Sequence, residues 1–596
     1  MKLARLSIEN FRGIQQGTIF FRDSTVLIGD NNCGKSTVLE AIDLVLGPER
    51  LNRAAVIDEH DFYAGCYVAE DGKSVAIRVE AVVIDLSEEQ ERHFRNHLEW
   101  WDTDSQSFVD EADLTNKTGV LAAIRVCFTG LYDAENDEFK ASTCFATPES
   151  DDGSHATFST KDKRLCGFLF LRTLRTGSRA LSLERGSLLD IILRLQERRL
   201  QMWEDILKEL RVLPVAEKEE LGITSILSTV QESVRKYIHS DGGAEPHMRV
   251  SDLTRETLRK IITVFMATGA TLPDGSVYSA PYQHQGTGTV NTLVLALLSQ
   301  IAELKQNVIF AMEEPEIAIP PHTQKRIVDS IKKDSAQALF TSHSPYVIEE
   351  FEPADVLVVK RDRGVLVTQP TNLPPNVRLK MYRQELKRRF CEALLARRVL
   401  IVEGRTEYDA IKSASRRLHE VAPLEFRTLE ALGVAVVDAE SDSKIAPLGK
   451  YFKTLGKEVF AICDKQSEAS RSAITVEIAN LFESPEKGFE NLLVKQTKEA
   501  ALRRFGERLV SEGEWPINLG NPPTSGDSLA TVQDCVSKYL RNAKGAGGSA
   551  DLVGVCQRDE MPIFITESLS RIQQLIDPPA KETAVEETES LLDASI

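Results

Sequence analysis

Three parts of the chain carry residues at spacings that suit chemistry. The first is Gly29-Asp30-Asn31-Asn32-Cys33-Gly34-Lys35-Ser36-Thr37, which lies between the apolar run Thr25–Gly29 and an apolar helical pattern beginning at Ser36. GxxxxGK[ST] between a strand and a helix is the context a triphosphate-binding loop requires. Its glycines let backbone N–H groups curl around phosphate oxygens, Lys35 brings a point charge to the β- and γ-phosphates, and Ser36 offers a hydroxyl to Mg2+. Asn31, Asn32, Gly34, Lys35, Ser36 and Thr37 are therefore candidate ATP-binding residues. Such a loop needs an acidic strand end as partner. The second part, the apolar run before Glu313-Glu314-Pro315, supplies it: Glu313 takes the Mg2+-supporting place, and Glu314 is positioned as the catalytic acid that polarises the attacking water.

In the third part, Glu403-Gly404 closes the apolar run Val399–Val402, and Glu407 follows one helical turn later. Asp464 closes a second apolar run, Glu458–Cys463. At the carboxyl edge of a parallel sheet these acids can converge on one or two Mg2+ or Mn2+ ions, which would clamp a scissile phosphate and activate water.

The elements that must position these groups read as α/β. Strand patterns occur at 3–11, 25–29, 74–86 and 120–129, and again at 307–314, 337–342 and 355–361. Between them, residues 187–263 keep helical spacing and read as an all-helical insertion, a candidate dimerisation element. The expected organisation is an ATPase domain over 1–370, a basic linker helix over 371–398, a catalytic α/β domain over 399–576 and a disordered acidic tail over 577–596.

Composition narrows the function classes. No run of about 18 apolar residues is present to span a bilayer, and the N-terminus lacks a secretory h-region, so no membrane partner and a cytoplasmic location are expected. Nine scattered cysteines form neither a CxxC pair nor a Cys/His cluster, which argues against a disulfide framework or a structural zinc. The net charge of −18 opposes phosphate binding as a whole. A local basic track escapes that objection, and 376–398 offers one, with eight Arg or Lys against two Glu.

Order and spacing then carry a resemblance. Roughly 280 residues separate Lys35 from Glu313-Glu314. This suits the ABC-type ATPase heads of SMC-like chromosome-maintenance and recombination-repair proteins, where an insertion splits the head. Gln285-Gly286-Thr287-Gly288-Thr289 resembles the ABC signature loop, with Thr where Ser-Gly-Gly is usual, and His343 in Thr341-Ser342-His343-Ser344-Pro345 resembles the switch histidine. The resemblance adds Gly286, Gly288, Glu313, Glu314 and His343 to the ATP site, and implies that ATP sits between two heads of a homodimer. Glu403-Gly404, Glu407 and Asp464 resemble a Toprim domain, although Asp464-Lys465-Gln466 lacks the second acid of the usual Asp-x-Asp; Glu468 and Glu490 are the substitutes nearby.

An ABC head followed by a Toprim domain resembles the OLD (overcoming lysogenization defect) nuclease family over nearly the whole chain, and its helicase-associated class in particular. The resemblance implies a DNA nuclease using ATP and Mg2+ or Mn2+, with Lys544 as a catalytic cation and a helicase as a possible partner. A non-catalytic, ATP-driven DNA clamp is the rival, favoured by the missing acid. Topoisomerase or primase chemistry lacks any recognisable accompanying domain.

Overall fold

The computed structural model describes residues 1–48, 56–110, 119–148, 154–171, 181–184, 187–196, 199–212, 223–235, 254–286, 289–290, 293–294, 296–297, 300–301, 308–317, 320–374, 386–524, 526–544 and 546–578. The chain divides into two compact units, Met1–Pro370 and Thr371–Ile596.

The strands of the first unit are β1 (Lys2–Phe11), β2 (Ile14–Phe20), β3 (Ser24–Ile28), β4 (Ile77–Ile84), β5 (Leu98–Asp102), β6 (Ser107–Val109), β7 (Val120–Asp133) and β8 (Glu138–Pro148). They continue as β9 (His155–Thr157), β10 (Phe168–Leu171), β11 (Phe265–Thr271), β12 (Val277–Pro281), β13 (Ile309–Glu313), β14 (Gln337–Thr341), β15 (Val356–Asp362) and β16 (Val365–Pro370). One large sheet runs β10-β13-β14-β3-β15-β16-β2-β1-β4-β7-β5-β6, with β8 on β7 and β9 on β8.

Two kinds of strand make this sheet. From β10 through β13, β14 and β3 to β15 the pairs are parallel. Those strands are short unbroken apolar runs such as Ile309–Met312 and Val26–Ile28, as burial on both faces demands. The β1, β4 and β7 part is antiparallel. There β7 alternates buried and half-buried residues, with one face on the core. Helix α1 (Lys35–Leu46) presses Val38, Leu39, Ile42 and Val45 into that core.

Within 187–263 the long helical reading resolves into separate helices, α2 (Leu188–Leu195), α3 (Arg199–Val212), α4 (Ile223–Arg235) and α5 (Arg255–Ile261). Residues 213–222 and 236–253 of the predicted insertion lie outside the described residues. Trp203 of α3, Leu258 of α5 and Leu183 make a small core of their own. After α5 comes a hairpin of β11 and β12, turned by Pro273-Asp274-Gly275 with Gly275 at φ 83°.

The second unit holds a four-stranded parallel sheet, ordered β18 (Val434–Asp438), β17 (Arg398–Val402), β19 (Glu458–Cys463), β20 (Asn480–Glu483). Around it lie α6 (Leu386–Leu395), α7 (Arg405–Val421), α8 (Glu468–Glu477), α9 (Phe489–Gln496) and α10 (Gly548–Gly554), among other helices. Ile411, Ala414 and Leu418 of α7 pack with Leu400 and Phe460 of the sheet and with Leu492 of α9. In the stretch predicted as one linker helix, the described helix is α6, with Phe390, Cys391 and Leu394 buried, and Arg398 already belongs to β17; residues 375–385 lie outside the description. So do 579–596, nearly all of the predicted acidic tail. Among the described residues no helix is long and apolar enough to cross a membrane.

Candidate functional site

In the first unit, register brings three strand ends to one edge: Thr341 of β14 pairs with Leu27 of β3 on one side and with Glu313 of β13 on the other. The phosphate loop leaves β3 at Gly29, whose φ is 149° and where a Cβ would come within 2.4 Å of the Val359 carbonyl. Only glycine fits so close an approach. Asn32 at φ 66° and Gly34 at φ 105° turn the loop into α1, whose first turn has no side-chain cap. Lys35 is buried, and its Nζ donates to the carbonyls of Gly29 at 3.0 Å and Asp30 at 2.9 Å. Ser36 and Thr37 follow in the helix, half-buried, while Asn31 is exposed in the loop.

Glu314 leaves β13 in the left-handed region, φ 44°, with its N–H on the Thr341 carbonyl at 3.0 Å. Burial and the charge of Lys35 depress the basicity of His343, while Glu314 and Asp30 act the other way. His343, Lys35 and Glu314 thus lie within electrostatic reach of one another. Glu316, which the sequence reading passed over, holds the loop that carries His343: its carboxylate accepts from Ser342 Oγ at 3.0 Å and from the His343 N–H. Burial raises its pKa. The signal available in sequence was the repeated acid of Glu313-Glu314-Pro315-Glu316. Gly286 is exposed with open space above it, and Gly288 lies outside the described residues.

In the second unit, β17 and β19 end side by side, with Val402 opposite Ile462. Glu403 and Asp464 follow directly, and Gly404 caps α7 so that Glu407 falls in its first turn. Asp464 N–H donates to Glu403 Oε2 at 3.0 Å, and the Gln466 amide donates to the same oxygen at 3.1 Å. Gln466, at the position of the missing acid, is therefore a donor that orients Glu403. Asp464 Oδ2 accepts from the Gly488 N–H at 2.8 Å, whereas Asp464 Oδ1 is buried without a hydrogen-bond partner.

Glu490, in the first turn of α9, joins the same cluster. Its Oε1 accepts from Thr406 Oγ1 at 3.0 Å and pairs with Lys544 Nζ at 3.3 Å. Lys544 precedes α10 and is two-thirds exposed (66%). Glu468 stands exposed at the start of α8, apart from these contacts. Burial, reinforced by the charges of Asp464, Glu403 and Glu490, raises the Glu407 pKa to about 7. Burial and Glu403 raise that of Asp464 to about 6, with Lys544 opposing.

Divalent-metal chemistry suits these groups. Hard oxygen donors, a buried carboxylate oxygen with no partner, and acids whose ionisation is held back by one another are what an Mg2+ or Mn2+ ion would relieve. Among the described residues no three His, Cys, Asp or Glu side chains are already drawn into a ligand cage.

Comparisons agree with both halves. The family model described as AAA ATPase domain matches residues 1–116 and 140–348, and the one described as overcoming lysogenization defect protein-like, TOPRIM domain matches residues 394–465. The OLD nuclease of Thermus scotoductus (strain ATCC 700910 / SA-01) is 24% identical over 584 residues, covering 90% of this chain and 99% of that protein. Among solved structures, an SMC head bound to the C-winged helix domain of ScpA is 14% identical with a TM-score of 0.32, covering 62% of this chain and 98% of that one. The C-terminal region of the Burkholderia pseudomallei OLD protein is 15% identical with a TM-score of 0.24, covering 30% and 98%.

Proposed function

The chain belongs to the AAA ATPase domain family and carries an OLD-like TOPRIM domain, and on that premise we propose that it is a divalent-metal-dependent DNA nuclease governed by ATP. The observation that carries the reading is the acid cluster of the second unit, where Asp464 Oδ1 is buried and unpartnered beside Glu403, Glu407 and Glu490. Glu403, Glu407 and Asp464, with Glu490 beside them, would hold Mg2+ or Mn2+, which when bound supplies Lewis-acid polarisation of the phosphate and water acidic enough to attack it.

The chain's own residues do the rest. Gln466 and the Asp464 N–H fix one oxygen of Glu403. Thr406 fixes Glu490. Lys544 brings a cation beside Glu490, suited to stabilise the negative charge that grows on the phosphate as it is attacked.

In the first unit, Lys35 would exchange its loop carbonyls for β- and γ-phosphate oxygens. Ser36 and Glu313 would support Mg2+, Glu314 would polarise the attacking water, and His343 would sense the γ-phosphate. A homodimer would complete the ATP site through the signature loop of a second copy.

The test is cleavage of supercoiled plasmid with Mg2+ or Mn2+ by wild type, Glu403→Ala and Lys35→Ala. Nicking or linearisation that Glu403→Ala abolishes is the expected result, with Lys35→Ala changing the rate. Absence of metal-dependent cleavage in wild type would sink the nuclease reading and favour the ATP-driven clamp, whose support is the amide of Gln466 in the second acid's place.

A further inference from the structure

A cavity of about 690 Å3 opens between α7 and α10. Its wall is the face of α7 that carries four cations, Arg405, Lys412, Arg416 and Arg417, against two acids, Asp409 and Glu420. Its floor is built of small residues, among them Ala546, Gly547 and Ala550. Two lining residues lead back to the acid cluster along the chain: Arg405 follows Glu403 by two residues, and Ala546 follows Lys544, the partner of Glu490, by two. Beside them Ser549 of α10 donates to the Thr406 carbonyl at 3.1 Å, and Thr406 holds Glu490. At the other end Arg417 donates to the Cys556 carbonyl at 2.9 Å.

We propose that this groove carries the sugar-phosphate backbone of one DNA strand to or from the acid cluster. The proposal rests on the nuclease reading and gives that site its strand path. From Arg405 to Arg416 the helix rises about 16 Å at ~1.5 Å per residue. One strand of duplex DNA places a phosphate every ~3.4 Å along its axis, so the face spans about five.

The groove's cations are available to such a ligand. Arg405 pairs with Asp409, Arg416 with Glu430 and Arg417 with Glu420, in pairs that are at least partly exposed. Pairs of that kind contribute little to stability, and a phosphate offers each arginine a bidentate partner in exchange. Lys412 contacts only the Tyr408 hydroxyl and ring, with no carboxylate in ion-pair reach among the described residues. A chain of net charge −18 that engages DNA needs such a local cationic path.

The experiment is fluorescence anisotropy of the full chain with a labelled duplex, in Ca2+ so that cutting does not intervene, across a salt series. The double variant Lys412→Glu/Arg416→Glu should bind at least about tenfold more weakly, with a salt slope shallower by about two, since each phosphate contact contributes ~0.9. Lys412→Arg should keep wild-type affinity, and Lys412→Gln, which removes one charge from a half-buried lysine, should lower the slope by about one. Wild-type affinity and slope in the charge-reversed or neutral variants would overturn the groove, and so would a wild type that binds no duplex. A wild type that binds the duplex in Ca2+ with the variants weakened as expected, yet cuts none of it in Mg2+ or Mn2+, would count against the nuclease reading and leave the groove standing, so the two failures are separable.

Discussion

At the scale of single residues, the second unit sets acids against one another and restrains them with neutral donors. Gln466 is the clearest case, because an amide in place of an acid changes the residue's task from ligand to orienter of Glu403. Groups that orient a ligand carboxylate commonly matter about 10–100-fold for metal affinity. Gln466→Ala should therefore weaken Mn2+ binding by about that factor in isothermal titration calorimetry, and an unchanged affinity would deny it the orienting role. Glu407 makes a second prediction. Its pKa rises from 4.5 to about 7 in the folded protein, so between those values the fold holds a proton that the unfolded chain has released. The stabilisation this brings is complete below 4.5 and lost as pH climbs through 7. Metal-free protein should accordingly melt at lower temperature as pH rises across that window, measured by calorimetry. Glu407→Gln should flatten the trend, and a trend unaltered by that substitution would assign it to another group.

At the scale of elements, the residues that sequence exposed most plainly sit where a strand hands over to a helix. Gly29 to Thr37 and Glu403 to Glu407 are contiguous, and each apolar run before them is a buried parallel strand, so pattern and placement coincide. The α/β class and the Toprim likeness were legible for that reason. What sequence could not display is contact across elements. Glu490 was one of two nearby acids until α9 set it against Thr406 and Lys544 while α8 left Glu468 exposed. The β11–β12 hairpin was missed because its strands are mostly exposed and show no apolar face to count. Glu316 belongs here too, since it joins the turn after β13 to the loop after β14. Glu316→Ala should lower the ATPase kcat by up to about a hundredfold through misplacement of the switch loop, with the KM for ATP changed far less. Steady-state kinetics would show it, and an unchanged kcat would reduce Glu316 to a structural brace.

At the scale of the whole molecule, the first unit brings the loop 29–35, the acidic end of β13 and the loop carrying His343 to one sheet edge, while Gly286 opens into free space. A signature loop acts on nucleotide only when a helix N-terminus approaches the γ-phosphate, and the resemblance to ABC heads assigns that approach to a second copy. ATP should then act as the adhesive of a symmetric pair, each head closing the other's site. Glu314→Gln, expected to slow hydrolysis while leaving Glu313 in place, should trap that state. With ATP and Mg2+ its mass by multi-angle light scattering should be twice that without nucleotide, or a constitutive dimer should gain a second, nucleotide-dependent protection of Gly286 and its neighbours in hydrogen exchange. Lys35→Ala should show neither change. If Glu314→Gln holds ATP yet neither its mass nor that protection responds, the two-headed site is wrong, and hydrolysis must be completed within a single chain.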